Sequence, residues 1–226
     1  MPAVNIVLIG PPGCGKGTQA VRLAERYDIP HISTGEILRA AVRAGTPLGR
    51  EVAATLASGS LVGDEMMTDL ARDRLAQPDV ARGFVLDGFP RTVVQARVLD
   101  EIIGASTIVV LIEVPAAEIV RRMGTRRVCD ACRLTQSVSD PFHPDSEPCP
   151  YCGGNLVRRP DDEPKTVRHR LATYAAFAAP IVDHYRSRAS FAAIDGTQHA
   201  DKVTAAIATH IDRMAVREAR PHTGAS

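Results

Sequence analysis

The sequence contains no tryptophan, and its other aromatic residues are so scarce that aromatics make up only 4% of the chain. The core must therefore be built from Val, Ile, Leu and Ala. The formal net charge is +1, which excludes a strong overall field toward nucleic acid or a membrane surface. No apolar run approaches the roughly 20 residues of a membrane-spanning helix, and the first residues lack the pattern of a signal peptide. We therefore expect a cytoplasmic protein with no membrane or nucleic-acid partner.

Short apolar runs alternate with amphipathic segments along most of the chain. The apolar runs predict buried strands at 4–9, 84–86, 107–113 and 191–194. Apolar residues at helical spacing predict helices at 16–27, 34–43, 49–58, 64–76, 92–103, 115–123, 166–188 and 200–217. This alternation predicts an α/β fold in which helices flank a parallel sheet.

Residues 124–164 interrupt the alternation with a proline-rich insert that contains two CxxC pairs. The pattern Cys129-x2-Cys132-x16-Cys149-x2-Cys152 is typical of a four-thiolate zinc site. Four thiolates leave no open coordination position, so the Zn²⁺ is expected to be structural. A nucleic-acid-binding zinc ribbon is the alternative, but acidic residues outnumber the single Arg133 between the cysteines, namely Asp130, Asp140, Asp145 and Glu147.

Residues 10–18 read GPPGCGKGT and stand between a predicted strand and a predicted helix. The spacing Gly10-x4-Gly15-Lys16 matches the phosphate-binding loop (P-loop), whose backbone N–H groups and following helix N-terminus hold nucleotide phosphates. Lys16 carries extra weight because it is one of only three lysines among 27 basic residues. The predicted contacts of this loop with the nucleotide phosphates are Gly13, Cys14, Gly15, Lys16, Gly17 and Thr18.

Two further motifs follow the GKGT sequence in a fixed order. They are Ser33-Thr34-Gly35-Glu36-Ile37-Leu38-Arg39 and Leu86-Asp87-Gly88-Phe89-Pro90-Arg91-Thr92. Together the three motifs resemble those of the nucleoside monophosphate kinases, and of the adenylate kinases most closely, and the similarity extends from Val4 to about Ala206. The resemblance implies a P-loop NTPase with a core of residues 1–32, 63–124 and 165–226, and we expect a monomer because its closing motions need a free surface. It also implies an AMP-binding helical insert of residues 33–62, here called the flap, and a zinc-ribbon lid of residues 125–164.

The resemblance implies an acceptor site for AMP. Thr34 would lie by the base, and Gln95 would form a hydrogen bond with adenine. Arg39 and Arg91 would bind the phosphate. The full set of implied AMP contacts is Thr34, Arg39, Ser60, Leu61, Val62, Gly88, Phe89, Pro90, Arg91, Gln95, Arg159 and Arg170. From the residues alone, Ser33 to Arg39 also reads as a capped helix start with a solvated arginine. The resembling UMP/CMP kinases carry Ala at this place and lack a long cysteine insert, so Thr34 together with the insert favours AMP. A UMP/CMP kinase or another nucleotide kinase on the same scaffold is the alternative.

The resemblance also implies a donor site and a reaction, ATP plus AMP giving two ADP with Mg²⁺. Beyond the P-loop, ATP would contact Arg122, Arg126, Thr135, Gln136 and Gln198. The charge of the transferring phosphoryl group would be neutralised by Lys16, Arg91, Arg126, Arg159 and Arg170. Asp87 would hold the water shell of Mg²⁺. The Asp161-Asp162 pair would order the closed lid. No general base is required, because a phosphate monoester with a second pKa of about 6 is already ionised at pH 7. Catalysis then depends on alignment and charge neutralisation.

Overall fold

The computed structural model describes residues 3–104, 107–138 and 147–218. Its strands are β1 Val4–Ile9, β2 His31–Ser33, β3 Gly83–Asp87, β4 Ile108–Glu113, β5 Arg126–Cys129, β6 Thr135–Ser137, β7 Glu147–Pro148, β8 Asn155–Val157 and β9 Phe191–Asp195. Its α-helices are α1 Lys16–Tyr27, α2 Thr34–Arg43, α3 Pro47–Ser58, α4 Asp64–Leu75, α5 Val93–Ile103, α6 Ala116–Thr125, α7 Pro164–Arg186 and α8 Ala200–Glu218. Two 3₁₀ turns cover Pro78–Val80 and Pro160–Asp162.

The core of the fold is a five-stranded sheet in the order β2-β3-β1-β4-β9, with every neighbouring pair parallel. Side chains of β1 alternate between two hydrophobic clusters, since Ile6 and Leu8 pack on one face and Val7 and Ile9 on the other. Helices cover both faces, as near-continuous apolar strands require. The predicted α/β class and the parallel sheet are confirmed. The short strand β2 escaped prediction because Ile32 is its only buried residue.

The flap is a pair of packed helices, α2 and α3. Ser33 caps α2 by accepting a hydrogen bond from the Glu36 N–H, as its sequence predicts. Thr46 caps α3, which begins at Pro47. The two helices approach closely at Gly49, where an added Cβ would lie 2.0 Å from the Ala41 carbonyl oxygen. Only glycine allows this contact, so the pair forms a tight unit on which cleft residues are mounted.

The proline-rich insert forms a second, antiparallel sheet in the order β6-β5-β8-β7. Its buried apolar cluster consists of Cys129, Cys149 and Leu156. Asp140 and Asp145, which weighed against a nucleic-acid role, lie outside the described residues. Among the described residues, no helix combines the length and the apolar character that crossing a bilayer requires.

Candidate active site

A cleft of about 1180 Å³ opens at the carboxyl ends of the parallel strands. Its walls come from the P-loop, the flap, the lid and α7. The volume exceeds the roughly 300–1,000 Å³ of a pocket for one small ligand. The cleft therefore has room for two nucleotides.

The P-loop forms the floor of this cleft. The Lys16 ammonium donates hydrogen bonds to the Gly10 and Pro11 carbonyl oxygens at 2.7 and 2.8 Å. Helix α1 begins at Lys16, so its N-terminal N–H groups point toward the same space. Thr18 is exposed on the cleft wall. Cys14 is 2% exposed, and its side chain packs in the core.

Asp87 ends strand β3 beside the loop. A Cβ added at Gly17 would lie 3.6 Å from Asp87 Oδ2, so the carboxylate faces the start of α1. His31 Nε2 lies 4.0 Å from the same oxygen and has no hydrogen-bond partner among the described residues. Burial lowers the pKa of His31, although Asp87 opposes this effect. The sequence analysis missed His31, because only the pairing of β2 with β3 brings it to Asp87.

The predicted AMP residues lie together between the flap, β3 and α7. A small pocket under the flap is lined by Arg39, Ser60, Leu61, Val62, Arg91, Gln95 and Arg170. Thr34 is 1% exposed, and its Oγ1 has no hydrogen-bond partner in the described part of the chain. Gln95 accepts a hydrogen bond from the Arg91 N–H at 2.7 Å and donates one to Asp64 at 2.8 Å. Thus Thr34 has an unused hydroxyl, whereas Gln95 is held by protein groups.

The segment Gly88 to Arg91 turns the chain from β3 into the cleft. Its Phe89-Pro90 peptide bond is cis, as the resemblance implies. Phe89 is fully buried in the core, whereas Gly88, Pro90 and Arg91 line the cleft. The Phe89 side chain therefore packs in the core and does not line the cleft. Arg91 Nε donates a hydrogen bond to the Gly88 carbonyl oxygen at 2.8 Å.

Arginines from several elements converge on the centre of the cleft. Desolvation and the neighbouring charges of Arg170 and Arg39 lower the pKa of Arg91 to about 10. Desolvation, together with Arg39 and Arg126, lowers the pKa of Arg159 to about 10. Both residues stay protonated at pH 7. Such mutual repulsion marks a site that gains stability when it takes up an anion.

Carboxylates hold these arginines in place. Arg126 forms a bidentate pair with Asp162, with one contact of 2.7 Å from its Nε. Arg170 Nη1 lies 2.8 Å from an Asp161 carboxylate oxygen. The side chain of Asp162 is completely buried. The predicted Asp pair thus orients one lid arginine and one arginine of α7.

Glu36 is a cleft residue to which the sequence analysis gave no role beyond the helix start. Its carboxylate accepts hydrogen bonds from Arg39 Nη2 and Nε at 2.7 and 2.9 Å. It also lies 3.0 Å from Arg159 Nη2 of the lid. Arg159 donates a further hydrogen bond to Thr135 at 3.3 Å. Glu36 therefore links the flap to the lid, which sequence spacing alone could not reveal.

The donor side of the cleft carries the remaining predicted ATP contacts. Arg122 is oriented by Glu118 at 2.7 Å and by the Gly196 carbonyl oxygen at 2.9 Å. Thr135, Gln136 and Gln198 line the same cavity. Both glutamines offer hydrogen-bonding groups rather than an aromatic face.

The four clustered cysteines meet at the centre of the ribbon. The Sγ–Sγ distances are 3.5 Å between Cys129 and Cys152 and 3.8 Å between Cys132 and Cys149. All four sulfur atoms lie within 4.8 Å of one another. Thiolates bound tetrahedrally at about 2.3 Å from Zn²⁺ would be about 3.8 Å apart. The cluster therefore fits the structural Zn²⁺ that the spacing predicts.

A P-loop on the floor of a cleft, faced by arginines of the flap, the lid and α7, defines a kinase that brings two phosphate-bearing ligands together. Comparison with known proteins identifies the family. A family model described as adenylate kinase matches residues 8–190. The chain is 43% identical over 93% of its length to the whole adenylate kinase of Kosmotoga olearia. It is 45% identical over 96% of its length to the whole adenylate kinase of Symbiobacterium thermophilum. The chain belongs to the adenylate kinase family, and these matches do not favour the UMP/CMP alternative.

Proposed function

We propose that the cleft residues divide between a donor and an acceptor site for the reaction of this family, reversible transfer of a phosphoryl group from ATP-Mg²⁺ to AMP. The observation that carries the assignment is the convergence of Lys16 and the α1 N-terminus with arginines of the flap, the lid and α7. Two nucleotides that meet end to end there would place the transferring group inside the densest positive charge. Desolvation in such a site strengthens these interactions.

On the acceptor side, Arg39 and Arg91 bind the AMP phosphate, and Arg159 and Arg170 complete its coordination. Guanidinium groups suit this task because their planar fork binds phosphate oxygens in pairs. We assign base recognition to Thr34, whose buried hydroxyl has no hydrogen-bond partner among the described residues. The rest of the pocket consists of Ser60, Leu61, Val62, Gly88 and Gln95. Phe89 and Pro90 set the direction of the turn from β3 into the cleft.

On the donor side, residues 13–18 hold the ATP phosphates through backbone N–H groups and the Lys16 ammonium. Arg122, Arg126, Thr135, Gln136 and Gln198 extend this site along the lid. Asp87 holds the water shell of Mg²⁺, which when bound neutralises phosphate charge. The remaining charge of the phosphoryl group during transfer is neutralised by Lys16, Arg91, Arg126, Arg159 and Arg170.

The moving parts are the flap of residues 33–62 and the lid of residues 125–164, mounted on a core of residues 1–32, 63–124 and 165–226. Zn²⁺ at the four cysteines keeps the ribbon folded and takes no part in the chemistry. Closure of both parts excludes water that would otherwise hydrolyse ATP. We further propose that the protein acts as a monomer in the cytoplasm, with nucleotides rather than nucleic acid or membrane as its ligands.

The test is product analysis of ATP-Mg²⁺ incubated separately with AMP, CMP, UMP and GMP. Rapid ADP formation with AMP alone, and its reversal from ADP, is the expected result. Thr34→Ala should relax discrimination against the pyrimidine nucleotides, while Thr34→Ser keeps the hydroxyl and serves as the matched control. ATP hydrolysis without any acceptor would refute the two-site assignment, and unchanged selectivity of Thr34→Ala would refute the role of that residue.

A further inference from the structure

Arg133 adopts a backbone conformation that does not suit arginine. It follows the first CxxC pair with a φ of 64°, in the left-handed region that favours glycine. Among the described residues, the only other non-glycine residue with positive φ is Asp28, an exposed helix cap of a type that tolerates this region. Strained non-glycine residues of this kind cluster at functional sites. The strained backbone at Arg133 therefore makes this residue a candidate for a function.

The side chain of Arg133 lies in the cleft wall. Its Nε is buried and has no hydrogen-bond partner among the described residues. Arg133 stands two residues before Thr135, which accepts a hydrogen bond from Arg159. Arg133, Arg159 and Glu36 all line this cleft.

The electrostatics agree with this placement. Burial by itself raises the pKa of Glu36, but the charges of Arg39, Arg159 and Arg133 outweigh burial and hold the pKa below its ordinary value. Arg133 therefore contributes positive charge at Glu36 across the cleft, although Arg39 and Arg159 make the direct contacts.

Those two direct partners are the residues assigned above to the acceptor phosphate. When a phosphate binds, Arg39 and Arg159 must turn toward it. The Glu36 carboxylate, whose side chain is 34% exposed, would then be left beside an incoming dianion. A half-buried carboxylate in that position is costly unless another cation replaces the partners it has lost.

We propose that Arg133 is a positioning residue that becomes the counter-ion of Glu36 when the acceptor phosphate binds. The exchange frees Arg39 and Arg159 for the phosphate without leaving an unpaired carboxylate. The inference rests on the proposed acceptor site and adds a residue to it. Arg133 itself touches no nucleotide in this scheme.

The decisive variant is Arg133→Gly, because glycine adopts the observed φ without strain and the variant is expected to fold. Loss of one charge contact of this kind should raise KM for AMP by about 5- to 10-fold. KM for ATP should stay within about twofold, and the melting temperature should be unchanged or higher. Arg133→Lys, which restores the charge, should recover part of the AMP affinity.

A double-mutant cycle with Glu36→Gln separates the counter-ion role from a structural one. Once the carboxylate is neutral, Arg133→Gly should have little further effect on KM for AMP. An unchanged KM for AMP in Arg133→Gly, an equal rise for both nucleotides, or an undiminished effect in the Glu36→Gln background would each overturn the proposal. ADP formation from ATP and AMP by the unmodified protein tests the proposed function separately, so the two failures are distinguishable.

Discussion

Replacing Asp162 by asparagine should destabilise the protein strongly although it preserves the shape of the side chain. Asp162 is completely buried, and it pairs with Arg126 and Arg170, whose side chains are each 17% exposed. The carboxamide keeps one acceptor but removes the negative charge. Two largely buried guanidinium groups then lose a shared counter-ion.

The magnitude follows from the burial of the three groups. Removing one partner of a fully buried ion pair costs about 3–5 kcal/mol. Both arginines border the open cleft, where water screens part of their charge, so we expect about 2–3 kcal/mol for Asp162→Asn. For a chain of this size, about 2–4 °C of melting temperature is lost per kcal/mol, which gives a decrease of about 4–12 °C.

The assay is thermal and urea unfolding followed by far-UV circular dichroism, since the chain has no tryptophan to report by fluorescence. The matched control is Asp28→Asn. Asp28 pairs with Arg82 at 2.8 Å, but both side chains are highly exposed, at 83% and 72%. Loss of this surface pair should change stability by less than about 0.5 kcal/mol. If Asp162→Asn lost no more stability than Asp28→Asn, the buried pair would not hold the lid arginine in place.

Three further outcomes are expected. Lys16→Ala should reduce phosphoryl transfer by about 10²–10³-fold with an unchanged circular dichroism spectrum, and activity within a few-fold of the unmodified protein would rule out the P-loop role. Removing Zn²⁺ with a chelator should unfold the ribbon and lower the melting temperature of the lid, and an unfolding profile unchanged by the chelator would exclude a structural metal. Burial lowers the pKa of His31 below 6.5 in the folded protein, so the unfolded chain binds the extra proton and the free energy of unfolding should fall as pH drops below about 6.5. His31→Asn should reduce that slope, and titrations with equal slopes would contradict the assignment.

The sequence specified those parts of the fold that depend on local chemistry. The apolar runs at β1, β3 and β4 are visible because strands buried on both faces have few polar residues. The edge strand β9 is visible as a short apolar run although none of its residues is fully buried. The P-loop and the CxxC pairs are visible because their ligands demand fixed residue types at fixed spacing. Strand β2 was missed because its three residues form no apolar run.

What the sequence could not supply is the three-dimensional pairing of charged groups. Glu36 reads as an acid in the first turn of a helix, and only tertiary structure brings Arg159 to it. Motif matching also does not separate backbone from side-chain contacts. Cys14 and Phe89 belong to binding motifs, yet both side chains are buried in the core. The left-handed conformation of Arg133 was not predicted, because arginine itself gives no signal for positive φ.

The small ribbon sheet has a consequence for how the protein responds to its surroundings. Within the described part of the ribbon, the buried apolar cluster is only Cys129, Cys149 and Leu156, far less than a sheet needs to stay folded by burial alone. The main sheet carries its own two large clusters and does not depend on the metal. Metal loss should therefore yield a folded core with an unfolded lid, a dormant form that regains activity on metal uptake without new synthesis. Zinc supply would then set how much of the existing protein is active.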